Sequence, residues 1–265
     1  MKKILRKIFL AVGLEVRRLV PKISPIGSPA PTSPYSIENL QLNEIEKLSV
    51  ENFRTDRYYW LNEYRWRLLL QAGIQIRSKS IFEPGAGIGD QTYWLLQQGA
   101  SEVVVSDGRE SNLGVIEKRF SGDKRVRTLL GDLEVCLDSP DFDVKTDFVF
   151  MWGVYYHIFD PLPDFPILRK ISAIAPIVVM DYQESLIGKD FIENYDYENP
   201  SASISHASWR HTPTTIAAAL KNIYGYVYVP VENMEWNDPS CADTPRRIII
   251  GSKLPLNWTG IKPAI

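Results

Sequence analysis

The sequence predicts an α/β fold: a three-layer sandwich around a mostly parallel sheet of seven strands, with an antiparallel C-terminal strand pair. Three observations carry this. Strand-like and helix-like pieces alternate from residue 80 to 181. The runs Val103-Val104-Val105, Phe148-Val149-Phe150-Met151-Trp152 and Ile177-Val178-Val179-Met180 are apolar throughout, as strands covered on both faces must be. A glycine-rich turn, Gly85-Ala86-Gly87-Ile88-Gly89, stands where the first strand hands over to the first helix.

The chain of 265 residues divides into four parts. Residues 1–22 hold seven basic residues and one acid, with Ile4, Ile8, Val12 and Val16 at helical spacing. A secretory signal is excluded: the uncharged apolar stretch Ile8–Leu14 is short, and charge resumes at Glu15. The segment reads as a basic amphipathic helix, either lying on a membrane surface or docked on the domain or a partner subunit. Residues 21–34 carry five prolines and read as an extended linker. Residues 35–78 form a helical extension dense in aromatics, with Tyr58, Tyr59, Trp60, Tyr64 and Trp66 close together. These either line a ligand pocket or pack the helix on the domain. The main domain is then 79–265.

Within it, strands are expected at Ser80–Glu83, Glu102–Asp107, Arg125–Leu130, Thr146–Trp152 and Ala175–Asp181, all parallel. Helices are expected at Asp90–Gln98, ended by Gly99, and at Ser111–Arg119. Beyond Asp181 the chain reads as irregular up to a helix near Pro213–Asn222. Strands Tyr226–Val229 and Arg246–Gly251 complete the seven.

Composition excludes several classes. The net charge of −2 gives no global attraction to DNA or RNA. Cys136 and Cys241 sit in no CxxC or Cys/His cluster, so neither a zinc site nor a disulfide framework is indicated, and a reducing, cytoplasmic setting is expected. No apolar run approaches the roughly 20 residues that cross a bilayer.

Spacing narrows the glycine loop. A phosphate-binding P-loop ends in Gly-Lys-Ser/Thr, whereas this loop continues Gly89-Asp90-Gln91. The dinucleotide fingerprint GxGxxG needs glycine or alanine at 90, where Asp90 stands. An acid at that helix mouth repels a pyrophosphate and tolerates a cationic ligand. The segment Glu83-Pro84-Gly85-Ala86-Gly87-Ile88-Gly89 resembles the (Asp/Glu)-x-Gly-x-Gly-x-Gly motif of class I, Rossmann-like methyltransferases that use S-adenosylmethionine (SAM). Glu83, Gly85, Gly87 and Gly89 match position for position. The resemblance implies SAM as cofactor. It further implies that Asp107, 24 residues after Glu83, takes the ribose hydroxyls, and that Asp132 takes the adenine amino group while Leu133 covers the ring. Trp152, opening Trp152-Gly153-Val154-Tyr155-Tyr156-His157-Ile158, falls in the motif beside the reacting methyl.

For the acceptor, His157 is the candidate base, its ordinary pKa of about 6.5 suiting proton transfer near neutrality. Tyr156, Trp209 and Arg210 are candidate substrate contacts. Trp209 could stack on a sugar and Arg210 could hold a phosphate, His206 and His211 lying beside them. Asp181 ends the fifth strand without further carboxylate ligands in sequence, so no metal is expected. The leading expectation is O-methylation of a small-molecule or glycan-like, lipid-linked acceptor, since Tyr155–Pro161 and the basic lead are similar to methyltransferases of bacterial cell-surface polysaccharide synthesis. Alternatives are an RNA or protein methyltransferase, a NAD-binding oxidoreductase, disfavoured by Asp90, or a non-catalytic SAM-fold binding protein.

Overall fold

A computed structural model describes residues 35–140, 142–161, 163–194, 207–232 and 246–265. The basic lead and the proline-rich linker lie outside the described residues, as do Cys241 and His206. Five parallel strands form the centre: β1 (Ser80–Pro84), β2 (Glu102–Asp107), β3 (Val126–Leu130), β4 (Phe148–Met151) and β5 (Ile177–Glu184). They run in the spatial order β3-β2-β1-β4-β5, so the order reverses between β1 and β4. Two further short strands follow, β6 (Phe191–Asn194) and β7 (Ala207–His211), and then β8 (Tyr226–Pro230), β9 (Arg246–Ser252) and β10 (Ile261–Pro263). β9 pairs antiparallel with β5 and with β8, and β10 pairs antiparallel with β8.

The helices are α1 (Glu44–Phe53), α2 (Asp56–Ala72), α3 (Asp90–Gln97), α4 (Glu110–Arg119), α5 (Leu133–Asp138), α6 (Pro166–Ile174) and α7 (Pro213–Tyr224). Side-chain alternation along the strands sorts them into two layers. Ile81, Val103, Val105, Phe148, Phe150 and Val179 face one side, against Trp66 and Leu69 of α2, Trp94 and Leu95 of α3, and Leu113 and Ile116 of α4. Phe82, Val104, Val149, Met151, Val178 and Met180 face the other, against Leu133 of α5, Ile167, Leu168 and Ile171 of α6, and Ile216 and Leu220 of α7. The three-layer sandwich and the antiparallel C-terminal pair stand as expected.

The strand number does not. The sheet has ten strands among the described residues, not seven. Two additions, β6 and β7, pair antiparallel with each other, and β7 joins β5 parallel through Gln183–Arg210 and Glu184–His211. The third, β10, is three residues long and lies on the sheet's outer edge. Strands this short lack the apolar run or sustained alternation that marks a strand in sequence. Helix α6 also went unpredicted, although Ile167, Leu168 and Ile171 carry its spacing.

Caps fix the helix starts. Asn43 accepts the Glu46 N–H while the Glu46 carboxylate takes the Asn43 N–H, a reciprocal capping box for α1. Thr55 caps α2, and Gly73 ends it in the left-handed conformation, φ +79°. Helices α1 and α2 are tied to the domain by more than apolar packing. Lys118 of α4 donates to Glu46, and Trp66 Nε1 of α2 donates to Gln91 of α3.

Arg119 is the most buried cation of this face, its side chain wholly enclosed. Its guanidinium donates to Asp90 Oδ1 at 2.7 Å, to the Ile88 carbonyl at 2.8 Å and to the Tyr35 carbonyl at 2.9 Å. It thereby joins α4, the glycine loop and the start of the described chain. Removing one partner of a buried ion pair strands the other and orphans the carbonyls. Arg119→Ala is expected to lower the unfolding free energy by about 3 kcal/mol, read by denaturant unfolding with Lys47→Ala, from the exposed Lys47–Glu44 pair, as a control of smaller effect.

Candidate functional site

The C-terminal ends of β1 to β4 open on one cavity, at the position where the strand order reverses. Three glycines make its floor possible. Gly85, Gly87 and Gly89 adopt φ of +65°, +57° and +79°, a region costly for any residue with a Cβ. Each also has a neighbour where a Cβ would stand. At Gly85 it would run into Val154 Cγ2. At Gly87 it would lie 2.8 Å from the Phe53 ring, and at Gly89 2.8 Å from the Phe120 ring. Gly85 lines the cavity itself; Gly87 and Gly89 shape the turn behind it.

Glu83, the penultimate residue of β1, lies just below this turn, 3% exposed, and accepts the Thr92 hydroxyl at 2.7 Å. Burial pushes its pKa up to about 8, helped by the nearby Asp90 and Asp107, with the Thr92 hydrogen bond opposing. Asp107 ends β2. Its Oδ2 accepts the Gly87 N–H at 2.9 Å, and its Oδ1 accepts the Arg109 N–H at 2.9 Å and Asn112 Nδ2 at 3.0 Å. A carboxylate has about four acceptor directions, so this one has about one left. One ribose hydroxyl fits on Asp107 as it stands, and a second fits if the Asn112 side chain gives way, which qualifies the sequence expectation.

Asp132 follows β3 and lines the cavity together with Leu133, which is 6% exposed at the start of α5. From the other side come Trp152, Gly153, Val154, Tyr156, His157 and Ile158, the chain that leaves β4 and winds through a single 3-10 turn, Tyr155–His157. The His157 ring stands 4.2 Å from that of Tyr156. Phe53, Tyr58, Asn62 and Arg65 close the wall from α1 and α2. The aromatic-rich helix therefore serves both expected ends. Trp66 packs in the core, stacked 5.9 Å from Trp94, while Tyr58 borders the cavity.

The structure places Trp209, Arg210 and Asp90 otherwise than expected, and it accounts for Asp181. Trp209 and Arg210 do not line the cavity. They lie on β7, where Arg210 is 6% exposed and Trp209 stacks on His211 at 5.9 Å and meets the Phe159 ring at a tilt, 5.3 Å away. Strand pairing with β5 and β6 holds Arg210 on β7, away from the residues that line the cavity. Asp90 does not present an open charge at the helix mouth, because Arg119 pairs with it. Its discrimination against pyrophosphate therefore rests less on repulsion than the sequence implied. Asp181, the residue considered for a metal, is occupied otherwise. Its Oδ2 takes Arg65 Nη2 at 2.6 Å and lies 3.6 Å from Arg246 Nη1, while its Oδ1 accepts the Gly153 N–H at 2.6 Å. Burial alone would raise its pKa, but Arg65 and Arg246 lower it on balance. No group of His, Cys, Asp and Glu able to hold a metal occurs among the described residues.

Sequence reasoning missed Arg65 and Arg246. Both stack on aromatics of the cavity wall, Arg65 5.3 Å from the Trp152 ring and Arg246 4.7 Å from that of Tyr156. Nothing local marks them, since the partner of Arg65 is 116 residues away.

The fold has many solved counterparts. The N-terminal domain of EvdMO1, crystallised with S-adenosylhomocysteine (SAH) bound, superposes with a TM-score of 0.58 at 20% identity, over 79% of this chain and 95% of that one. The same domain was also crystallised in the presence of SAH and D-fucose. A 1,6-didemethyltoxoflavin-N1-methyltransferase from Burkholderia thailandensis, holding its substrate and SAH, gives 0.51 at 18% identity, over 90% and 99%. A SAM-dependent methyltransferase from Mesorhizobium loti gives 0.52 at 16% identity, over 70% and 96%. No family model and no curated protein matches the sequence. At these identities the likeness establishes the fold: a class I, Rossmann-like methyltransferase fold.

The raised pKa of Glu83 has a stability signature. The folded state holds a proton there up to about pH 8, whereas an exposed glutamate loses it near 4.5. This contribution is complete below pH 4.5 and is lost as pH rises through 8, by up to about 1.4 kcal/mol per pH unit in between. In the protein without ligand, Glu83→Gln is expected to flatten that decline, so its stability relative to wild type improves from pH 5 to pH 8 in parallel denaturant titrations.

Proposed function

We propose that this chain is a SAM-dependent methyltransferase that O-methylates a small-molecule or glycan-like acceptor. One observation carries the reading: on this fold, Glu83 near the end of β1, Asp107 at the end of β2 and Asp132 just after β3 border one cavity beside a left-handed glycine loop. That donor set suits SAM. The uncovered backbone at Gly85 admits close approach, Glu83 and Asp107 suit an ammonium and a hydroxyl, and Leu133 offers an apolar face for a purine. The SAH and substrates held by structural neighbours support the same reading.

When bound, SAM supplies an activated methyl carbon on a sulfonium. This chain's residues then have four tasks. Asp107 and Asp132 fix the nucleoside end. A cation brought beside Glu83 favours its ionised form, so binding near neutral pH releases a proton from that buried carboxyl. Trp152, Tyr156 and the turn after β4 exclude water from the reacting end and hold the acceptor in line. His157 takes the acceptor hydroxyl's proton as the oxygen attacks.

Calorimetry should show micromolar SAH and SAM binding and none for NAD; tight NAD binding with none for SAM sinks the assignment. Gly87→Arg, which forces a side chain into Phe53, should abolish SAH binding, and Asp107→Ala should weaken it at least tenfold. His157→Ala should keep SAH affinity within twofold but slow transfer by about 100-fold; undiminished turnover removes it as the base.

The basic lead, residues 1–22, we propose as a peripheral contact to an anionic membrane face on the cytoplasmic side, where a lipid-linked acceptor would be presented. Full-length protein should sediment with vesicles containing phosphatidylglycerol at low salt, and deletion of residues 1–22 should release it. Equal sedimentation of both forms assigns the lead another role.

A further inference from the structure

Gly153 stands just past the end of β4 with φ +70°, its N–H bound to Asp181. The atoms nearest to where a Cβ would stand are Tyr156 OH at 3.4 Å, Arg65 Nη2 at 3.5 Å and Arg246 Nη1 at 3.7 Å. All three are hydrogen-bond donors, and they arrive from three separate pieces of chain: the turn after β4, helix α2 and strand β9. Gly153, Tyr156, Arg65 and Arg246 all line the cavity, whereas Asp181 does not. Bare backbone ringed by fixed donors is the arrangement that receives an oxyanion.

The donors are held in place before any ligand arrives. Asp181, 2% exposed, grips Arg65 from outside the cavity, and the aromatic rings of Trp152 and Tyr156 carry the two guanidinium planes. Burial raises the pKa of Tyr156, so its phenol keeps the proton it would donate. Position within the sheet says which ligand this serves. The proposed nucleoside contacts Asp107 and Asp132 end β2 and follow β3, on one side of β1. Gly153 follows β4 and Arg246 opens β9, on the other.

We propose that Arg65, Arg246 and Tyr156 form the acceptor's specificity subsite, and that the acceptor is an acidic small molecule whose carboxylate or phosphate they hold. This rests on the methyltransferase reading above and narrows its substrate class. It also moves the anion-binding role that the sequence gave to Arg210 onto residues that face the cavity. Asp181 acts here as a positioning residue.

The test follows the arginine Nε–H resonances by NMR in SAH-saturated protein during titration with D-glucuronate, inorganic phosphate or D-glucose. At least one of the two anions should give saturable shifts of the Arg65 and Arg246 signals, with affinity tenfold or more above that of glucose. Arg246→Gln, which leaves the Arg65–Asp181 pair intact, should weaken the anion at least tenfold and SAH less than twofold. Tyr156→Phe, a gentler change, should weaken the anion in the same direction. The proposal is overturned if neither anion shifts these signals. It is equally overturned if Arg246→Gln weakens SAH tenfold while 5′-methylthioadenosine, which lacks the amino-acid portion, binds unchanged, because the donors then serve the cofactor's carboxylate. Failure of SAH to bind removes the methyltransferase reading instead, and the anion titration of the ligand-free protein still decides the subsite.

Discussion

The Asp107 carboxylate reaches from the end of β2 to the Gly87 N–H in the loop after β1, and the architecture of the cavity hangs on that bond. It ties two neighbouring parallel strands together beyond the point where their ladder stops. The loop can comply only because Gly85, Gly87 and Gly89 enter the left-handed region. Once it does, each glycine becomes a seat for another element. Val154 of the chain leaving β4 sits over Gly85, Phe53 of α1 over Gly87, and Phe120 at the end of α4 over Gly89. A side chain at any of the three would displace a different part of the fold. The loop is thus a packing junction as well as a binding surface, and its glycines are required on both counts.

Buried charge extends the same junction. Arg119 joins Asp90 at the mouth of α3 to the carbonyls of Ile88 and Tyr35, and Arg65 joins α2 to Asp181 on β5. Desolvating such pairs offsets most of their Coulombic gain, so they add little net stability over an apolar replacement. What they impose is geometry: the wrong register leaves a charge unpaired at a cost of several kcal/mol. Helix α2 is fixed against the sheet in this way, by Arg65 to Asp181 as well as by Trp66 to Gln91. The segment that sequence marks off as an extension supplies part of the cavity wall.

How much of this could be read in advance follows from the range of the interactions. Strand β2 was expected at the residues it occupies, Glu102–Asp107, and β1 within one residue, because burial on both faces writes an apolar run into the sequence. The glycine loop was legible for a local reason as well. Helix α6 is written locally too, with Ile167, Leu168 and Ile171 on one face and Pro166 opening it. Strands β6 and β7 are not, because their pairing, not their composition, makes them strands. Trp209 and Arg210 were misjudged for that reason: residues that look like an exposed loop become a buried edge once β7 joins β5. Arg65, Arg246 and Asp181 converge from three distant segments, and no window along the chain contains them together.

The cavity that results is electrically lopsided. Acidic side chains stand near the end of β1, at the end of β2 and after β3, with Arg109 among them, while Arg65, Arg246 and Tyr156 flank Gly153 beyond β4. A ligand with a cationic portion and one with an anionic portion are drawn to opposite ends of the same cleft, because each gains from its own wall and is repelled by the other. For the proposed reaction this matters more than affinity: transfer in line requires donor and acceptor to meet end to end, and a reversed acceptor bound as tightly would be inert. The aromatic rings of Trp152 and Tyr156 lie against Arg65 and Arg246, and Asp181 pairs with Arg65, so these cations are positioned by the fold itself.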